Sequence, residues 1–244
     1  MIARFAHEWM QPMTKTALVV GTGSGISAAF ARALAADGYR VALAARGVDK
    51  LAPLAGEIGA LTIAADATES DSVARLFAEV DRQFGRLDVM LYNASYRARG
   101  PFLDLVPQEV ARSIEVSAFG AFLVAQEAAR RMVARGEGAI LFTGASASVK
   151  GYAQSAPFAM GKFALRGLAQ SMARELGPKG IHVAHFVIDG GVRSTERGRV
   201  EGAGDTVDSL LDPADIAQTY MAVLKQPRSA WSLEVEVRPW VERF

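Results

Sequence analysis

The sequence predicts an α/β fold of the Rossmann type, a doubly wound three-layer sandwich on a seven-stranded parallel sheet in the order 3-2-1-4-5-6-7. Three observations carry this expectation. From Ala17 onward, short apolar runs alternate with amphipathic stretches. The runs are apolar throughout, as strands covered on both faces require. A glycine-rich turn from Gly21 to Gly25 separates the first run from the first amphipathic stretch, where such folds bind phosphate.

The elements follow in order. Run 17–20 stops at Gly21, and Ile26, Phe30 and Leu34 then recur at helical spacing until Asp37-Gly38. Runs 41–45 and 61–65 give the second and third strands. Val73, Leu76, Phe77, Val80 and Phe84 mark a helix. Run 88–92 is the fourth strand, a long helix covers 107–135, and 139–143 is the fifth strand. A helix over 156–176 ends at Gly177-Pro178, and 182–188 is the sixth strand. Asp212-Pro213 opens a helix to Leu224, and 233–237 is the last strand. Residues 15–244 read as one domain, without repeat or linker. Residues 1–14 read as an N-terminal arm. It is either a loose end ahead of a native start at Met13, or an arm whose Phe5, Trp9 and Met10 pack on a neighbouring subunit.

Composition narrows the function. Of 244 residues, 50% are hydrophobic and 22% charged, which excludes wholesale disorder. The 27 basic and 26 acidic residues leave a net charge of +1, so no nucleic-acid partner is expected. The absence of cysteine removes disulfides, thiol nucleophiles and thiolate metal sites. His7, His182 and His185 are too few and ill-spaced for zinc, and the last two, three apart on one strand, should face opposite ways. No apolar window is long enough to span a membrane, and no cleavage site follows the first residues. A cytoplasmic protein with a small-molecule substrate is expected.

The turn Gly21-Thr22-Gly23-Ser24-Gly25-Ile26-Ser27 allows backbone N–H groups to approach a pyrophosphate at a helix N-terminus. It lacks the Lys-Ser/Thr pair of a Walker loop, and Ile26 stands where G-x-G-x-x-G has its final glycine. A carboxylate at the end of the second strand would select NAD(H) by bonding the adenine ribose. The strand ends instead in Ala45-Arg46, and a guanidinium there suits a 2′-phosphate. NADP(H) is therefore favoured, with NAD(H) the alternative.

With these residues in place, the stretch from Lys15 to Pro239 resembles the classical short-chain dehydrogenase/reductase family. Gly21-x-x-x-Gly25-Ile26-Ser27 is similar to its G-x-x-x-G-x-G, with Ser27 for the last glycine. Asp66-Ala67 resembles the pair that contacts the adenine, and Asn93-Ala94-Ser95 resembles its N-A-G. Residues 163–180 closely resemble the helix and turn after the family's catalytic lysine. The resemblance implies hydride transfer between a nicotinamide and a carbonyl or alcohol, with a tyrosine, lysine, serine and asparagine as the working groups. Lys162 matches the lysine. Phe158 holds the tyrosine position, Ala145 the serine position with Ser146 next to it, and Ser117 the asparagine position. Asp189-Gly190 replaces the family's Pro-Gly, and with Val192 and Ser194 it would complete the cofactor site.

An atypical member with a non-standard proton donor is the leading expectation. Ser146, Tyr152, Tyr96, Asp189, Lys162 itself or water are the substitutes, whereas Ser146 and Ser148 also suit plain turn roles. The alternative is a cofactor-binding sensor or scaffold with weak or no catalysis; an epimerase or dehydratase ranks last. Residues 193–208 fall where the family places its substrate lid. Trp231, Trp240 and Phe244 suit a subunit interface, and the resemblance implies a homotetramer or homodimer.

Overall fold

The computed structural model describes residues 14–242. The strands are β1 (Thr16–Val20), β2 (Arg40–Ala45), β3 (Leu61–Ala64), β4 (Val89–Tyr92), β5 (Gly138–Thr143), β6 (Ile181–Ile188) and β7 (Glu234–Val237). All pair in parallel in the expected order β3-β2-β1-β4-β5-β6-β7. The central strands β1, β4 and β6 are buried at every residue, which explains their unbroken apolar sequences.

Alternate residues of β1, β2, β4, β5 and β6 serve two separate cores. Ala17 and Val19 of β1 pack with α1 (Ile26–Ala36), α2 (Ala52–Ile58) and α7 (Pro213–Leu224). Leu18 and Val20 pack with α3 (Ser70–Phe84), α5 (Gly120–Val133) and α6 (Ala156–Leu176). The predicted helix starting at Asp212-Pro213 forms as α7, with Asp212 Oδ1 accepting from the Ala214 N–H at 2.8 Å.

The long helix expected over 107–135 needs correction. It divides into α4 (Pro107–Ile114), a π turn (Glu115–Phe119) and α5. Tyr92 at the end of β4 donates its hydroxyl to the Val116 carbonyl at 2.6 Å, which answers a group the wider turn leaves open. A Cβ at Gly120 would stand 2.7 Å from that hydroxyl and 3.0 Å from the Ala67 carbonyl oxygen, so only glycine fits. The short helix α2 was not anticipated, since seven residues with Pro53 at the start show no repeat to read.

His182 and His185 do face opposite ways. His182 stacks on Trp231 with ring centroids 4.7 Å apart and bonds the Ser232 carbonyl at 3.0 Å. His185 bonds Glu234 at 3.0 Å, and Glu234 also takes two 2.7 Å bonds from Arg166 of α6. Trp231, expected at a subunit interface, is thus engaged within the chain. Trp240 is 75% exposed. The expectations for His7, Phe5, Trp9, Met10 and Phe244 lie outside the described residues. Among the described residues no helix is long and apolar enough to cross a membrane, and no His, Asp and Glu cluster could hold a metal.

Candidate functional site

The chain leaves β1 toward β2 on one side and reaches β4 on the other, so a crevice opens at the carboxyl ends of β1 and β4. Gly21 turns the chain there at φ +80°, and the N–H groups of Gly21 and Thr22 both donate to the Ala44 carbonyl, at 3.0 and 3.2 Å. A Cβ at Gly21 would lie 2.3 Å from the Ala94 nitrogen. Beyond Gly23 and Gly25 lies open space, so the loop presents bare backbone at the N-terminus of α1, which Ile26 begins. Thr22 is tied down, its hydroxyl donating to the Val19 carbonyl at 2.9 Å. Ser27 donates to the Gly21 carbonyl at 3.1 Å and accepts from the Asn93 side chain at 2.6 Å, which locks the loop to the end of β4. Ser24, on the open rim, donates to Glu196 at 2.6 Å.

Past β2, Arg46 is exposed and no acid stands at the strand end. Asp66 and Ala67 follow β3. Asp66 Oδ1 accepts from the Thr68 N–H at 3.0 Å and the Thr68 hydroxyl at 2.8 Å. Burial works against the Asp66 charge, but Thr68 and the cations of Arg46 and Arg112 outweigh it and hold the carboxyl below its usual range.

Lys162 on α6 is 3% exposed, and its amine donates to the Thr143 carbonyl, the last of β5, at 2.7 Å. The Thr143 hydroxyl in turn meets the Tyr220 hydroxyl at 3.1 Å. Burial without a carboxylate partner pulls the Lys162 amine down to about 8. Phe158, one helical turn earlier, places its ring centroid 5.8 Å from that amine, and the Arg97 guanidinium lies over the same ring at 4.6 Å. Ser117, in the π turn, is fully buried, and its hydroxyl has no partner among the described residues. It approaches α6 at Gly161, where a Cβ would come within 3.2 Å of that oxygen.

Ala145 opens a 3₁₀ turn (Ser146–Ser148) in which Ser148 accepts from the Ala145 N–H at 3.1 Å, the turn role expected of that serine. Ser146, Tyr152, Asp189 and Gly190 line one cleft of about 470 Å³. Tyr96 points elsewhere, bonded to Glu109. Asp189 is buried, and its Oδ2 is paired with both Lys150 and Arg238, each at 3.6 Å. The chain after β6 is held by short bridges, Val192 to Leu211 and Ser194 to Arg199.

Two features escaped sequence reasoning. Segment 193–208 is not simply loose, because Arg193 reaches Glu201 at 2.8 Å and Asp212 at 2.6 Å, fastening it to the cap of α7. Arg97 and Arg99, after β4, join the cleft lining together with Arg199. The only sequence sign was the pair of arginines two residues apart in Tyr96-Arg97-Ala98-Arg99.

The family model for short chain dehydrogenases matches residues 15–202. Sorbitol-6-phosphate 2-dehydrogenase of Escherichia coli K12 is 34% identical over 72% of this chain and 71% of its own length. A short-chain dehydrogenase from Rhodopseudomonas palustris has a crystal structure that is 36% identical, with TM-score 0.80 over 94% of this chain and all of that one. An alcohol dehydrogenase from the archaeon Thermococcus sibiricus, complexed with 5-hydroxy-NADP, is 28% identical with TM-score 0.82, over 94% and 98% of the two chains. The relatives are dehydrogenases, which lends no support to a non-catalytic sensor or scaffold. With the glycine loop at the crevice of a parallel sheet and Lys162 at the end of β5, the chain belongs to the short-chain dehydrogenases, oxidoreductases on a nucleotide-binding Rossmann fold.

Proposed function

We propose that this chain is an NADP(H)-dependent oxidoreductase for a carbonyl or alcohol of a small molecule, working without a phenol at the usual position. The observation that carries the reading is a pairing at the carboxyl ends of one sheet: an open glycine cradle after β1, and a buried amine with a lowered pKa against the last carbonyl of β5. When bound, the nicotinamide supplies the hydride carrier. Gly21, Thr22, Gly23, Ser24, Gly25 and Ile26 receive the pyrophosphate, and Asp66 and Ala67 the adenine. Asn93 and Ala94, with Asp189, Gly190, Val192 and Ser194 opposite, border the nicotinamide, and Lys162 holds its ribose.

Arg46 supplies the cation for a 2′-phosphate, and the NADP-type ligand of the Thermococcus sibiricus relative agrees with this assignment. Phe158 and Ala145 have no proton to donate, and Ser117 stands where the family keeps an asparagine. The hydroxyls of Ser146 and Tyr152 border the cleft and are the groups available to exchange a proton with the substrate oxygen. Segment 193–208 acts as the substrate lid, and residues 15–244 work as one domain. Phe119 and Phe122 of the π turn and α5, with Met160 and Phe163 of α6, leave exposed apolar surface that fits a cytoplasmic homo-oligomer.

Titration with NADPH and NADH, followed by a carbonyl panel with NADPH, tests the reading. NADPH should bind at least about tenfold more tightly than NADH, and Arg46→Ala should erase the difference, as one charge-assisted pair warrants. Equal affinities untouched by Arg46→Ala would refute the cofactor assignment. Tight NADPH binding with no turnover across the panel would refute the catalytic one.

A further inference from the structure

The cleft of about 470 Å³ beside Ser146 carries a charge pattern that hydride chemistry does not require. Arg97 and Arg99 enter it from the loop after β4, and Arg199 enters it from segment 193–208. Among the described residues none of the three guanidiniums forms an ion pair, although Arg193, close by in sequence, is saturated by Glu201 and Asp212. Arg97 is held in place by the Phe158 ring, 4.6 Å away. The loop it belongs to is fastened by the Gly100 N–H, which donates to the Gln154 carbonyl at 3.2 Å.

The acids of the cleft do not balance these charges. Asp189 is engaged by Lys150 and Arg238, which leaves Glu242 as the other acid lining the cleft against three arginines. Partial burial, and then the like charges of Arg99 and Arg199, hold the Arg97 guanidinium below its ordinary value. Gathering like charges in a concave site is costly unless an anion joins them.

We infer that the substrate of this cleft carries an anionic group, a carboxylate or a phosphate monoester, which Arg97, Arg99 and Arg199 clamp while its carbonyl or alcohol lies toward Phe158 and Ser146. The inference rests on the oxidoreductase reading above and names its substrate class. Guanidinium forks are the side chains that bind such planar or tetrahedral oxyanions by paired N–H donors. Because Arg199 comes from the segment after β6 and the other two from the loop after β4, an anion between them would tie that segment across the cleft.

The test uses matched pairs of oxo compounds: levulinate against methyl levulinate for the carboxylate, and dihydroxyacetone phosphate against dihydroxyacetone for the phosphate. Calorimetric titration of the full chain at low salt should show at least one charged member binding about tenfold or more tightly than its neutral partner. The pair that shows the preference identifies the anion. Arg99→Ala with Arg199→Ala should remove that preference, Arg99→Lys with Arg199→Lys should retain part of it, and Arg75→Ala, at an exposed position of α3, should leave it unchanged. Melting curves of each variant show that it is folded. Charged and neutral members binding alike, neither anion binding, or a preference that survives the double alanine change would each overturn the inference. NADPH titration in parallel separates the two readings. Tight NADPH binding without anion preference defeats this inference alone, whereas anion preference without NADPH binding defeats the cofactor reading alone.

Discussion

Replacing Lys162 by methionine should raise the stability of the cofactor-free protein at neutral pH, by an amount that depends on pH in a defined direction. The amine is buried and has one hydrogen bond, to the Thr143 carbonyl. Its pKa falls from the ordinary 10.5 to about 8, which corresponds to about 3 kcal/mol held against the charged form in the folded state. Below about pH 8 both folded and unfolded chains carry the proton, and the full cost applies. As pH rises toward 10.5 the folded chain has released its proton while the unfolded chain still holds it, so the cost fades. Methionine fills similar space without charge, but leaves the Thr143 carbonyl short of a donor, a loss of about 1–2 kcal/mol at any pH. The net gain at pH 7 is then about 1–2 kcal/mol, and it should shrink by about 2 kcal/mol at pH 9.5. For a chain of this size that is a relative shift in Tm of about 4–8 °C between the two conditions. Calorimetric melting of both proteins at both pH values measures it, and comparing the two differences cancels every other titration. The same offset in Tm at pH 7 and pH 9.5 would show that the amine is not held against its charge, and the argument would fail.

Three further outcomes are expected. Phe158→Tyr alone should raise carbonyl reduction only in part, and Phe158→Tyr with Ala145→Ser should exceed either single change, because such groups act as a unit; steady-state rates of all three variants check it, and a native rate left unchanged by Phe158→Tyr would place the proton donor at Ser146 or Tyr152. Glu196→Gln should tighten NADPH binding by at most about fivefold, since the carboxylate at Ser24 repels a pyrophosphate entering the same rim; fluorescence titration against the native protein decides, and weaker binding would contradict it. Ser117→Ala should stabilise the fold by about 1 kcal/mol, because the buried hydroxyl has no partner to lose; a fall in Tm would mean that the hydroxyl is satisfied in solution.

The sheet order and the helix alternation were legible because central strands buried on two faces must be apolar at every position, as β6 is in Ile181–Ile188. The phosphate loop was equally plain, since its glycines are local backbone demands. What stayed hidden depends on partners far apart in the chain. The π turn rests on a hydroxyl from Tyr92, 24 positions before the carbonyl it meets. The tether of segment 193–208 needs Arg193 to find Asp212 at the start of a helix. Arg97 and Arg199 meet across a cleft although about a hundred residues separate them, and no periodicity announces such a meeting. The short helix α2 was invisible for a different reason, being too brief to repeat.

The π turn also fixes how tolerant this rod is to changes in length. A helix rotates by about 100° per residue, and a π turn accommodates one residue more than the regular winding would. Segment α5 therefore keeps the facing it would have on a regular helix one residue shorter, with α4 set against α6 and α5 turning Ala121, Val124, Ala125 and Ala128 under the sheet. Deleting one residue between 115 and 119 would let the helix wind regularly and leave that alanine-rich stripe on the core, whereas deleting one from the regular turns of α4 or early α5 would swing it by about 100°, toward solvent. Most surface loops absorb a lost or gained residue as slack. In this rod the wide turn alone holds such slack, one residue of it, and elsewhere between Pro107 and Val133 a change in length becomes a rotation.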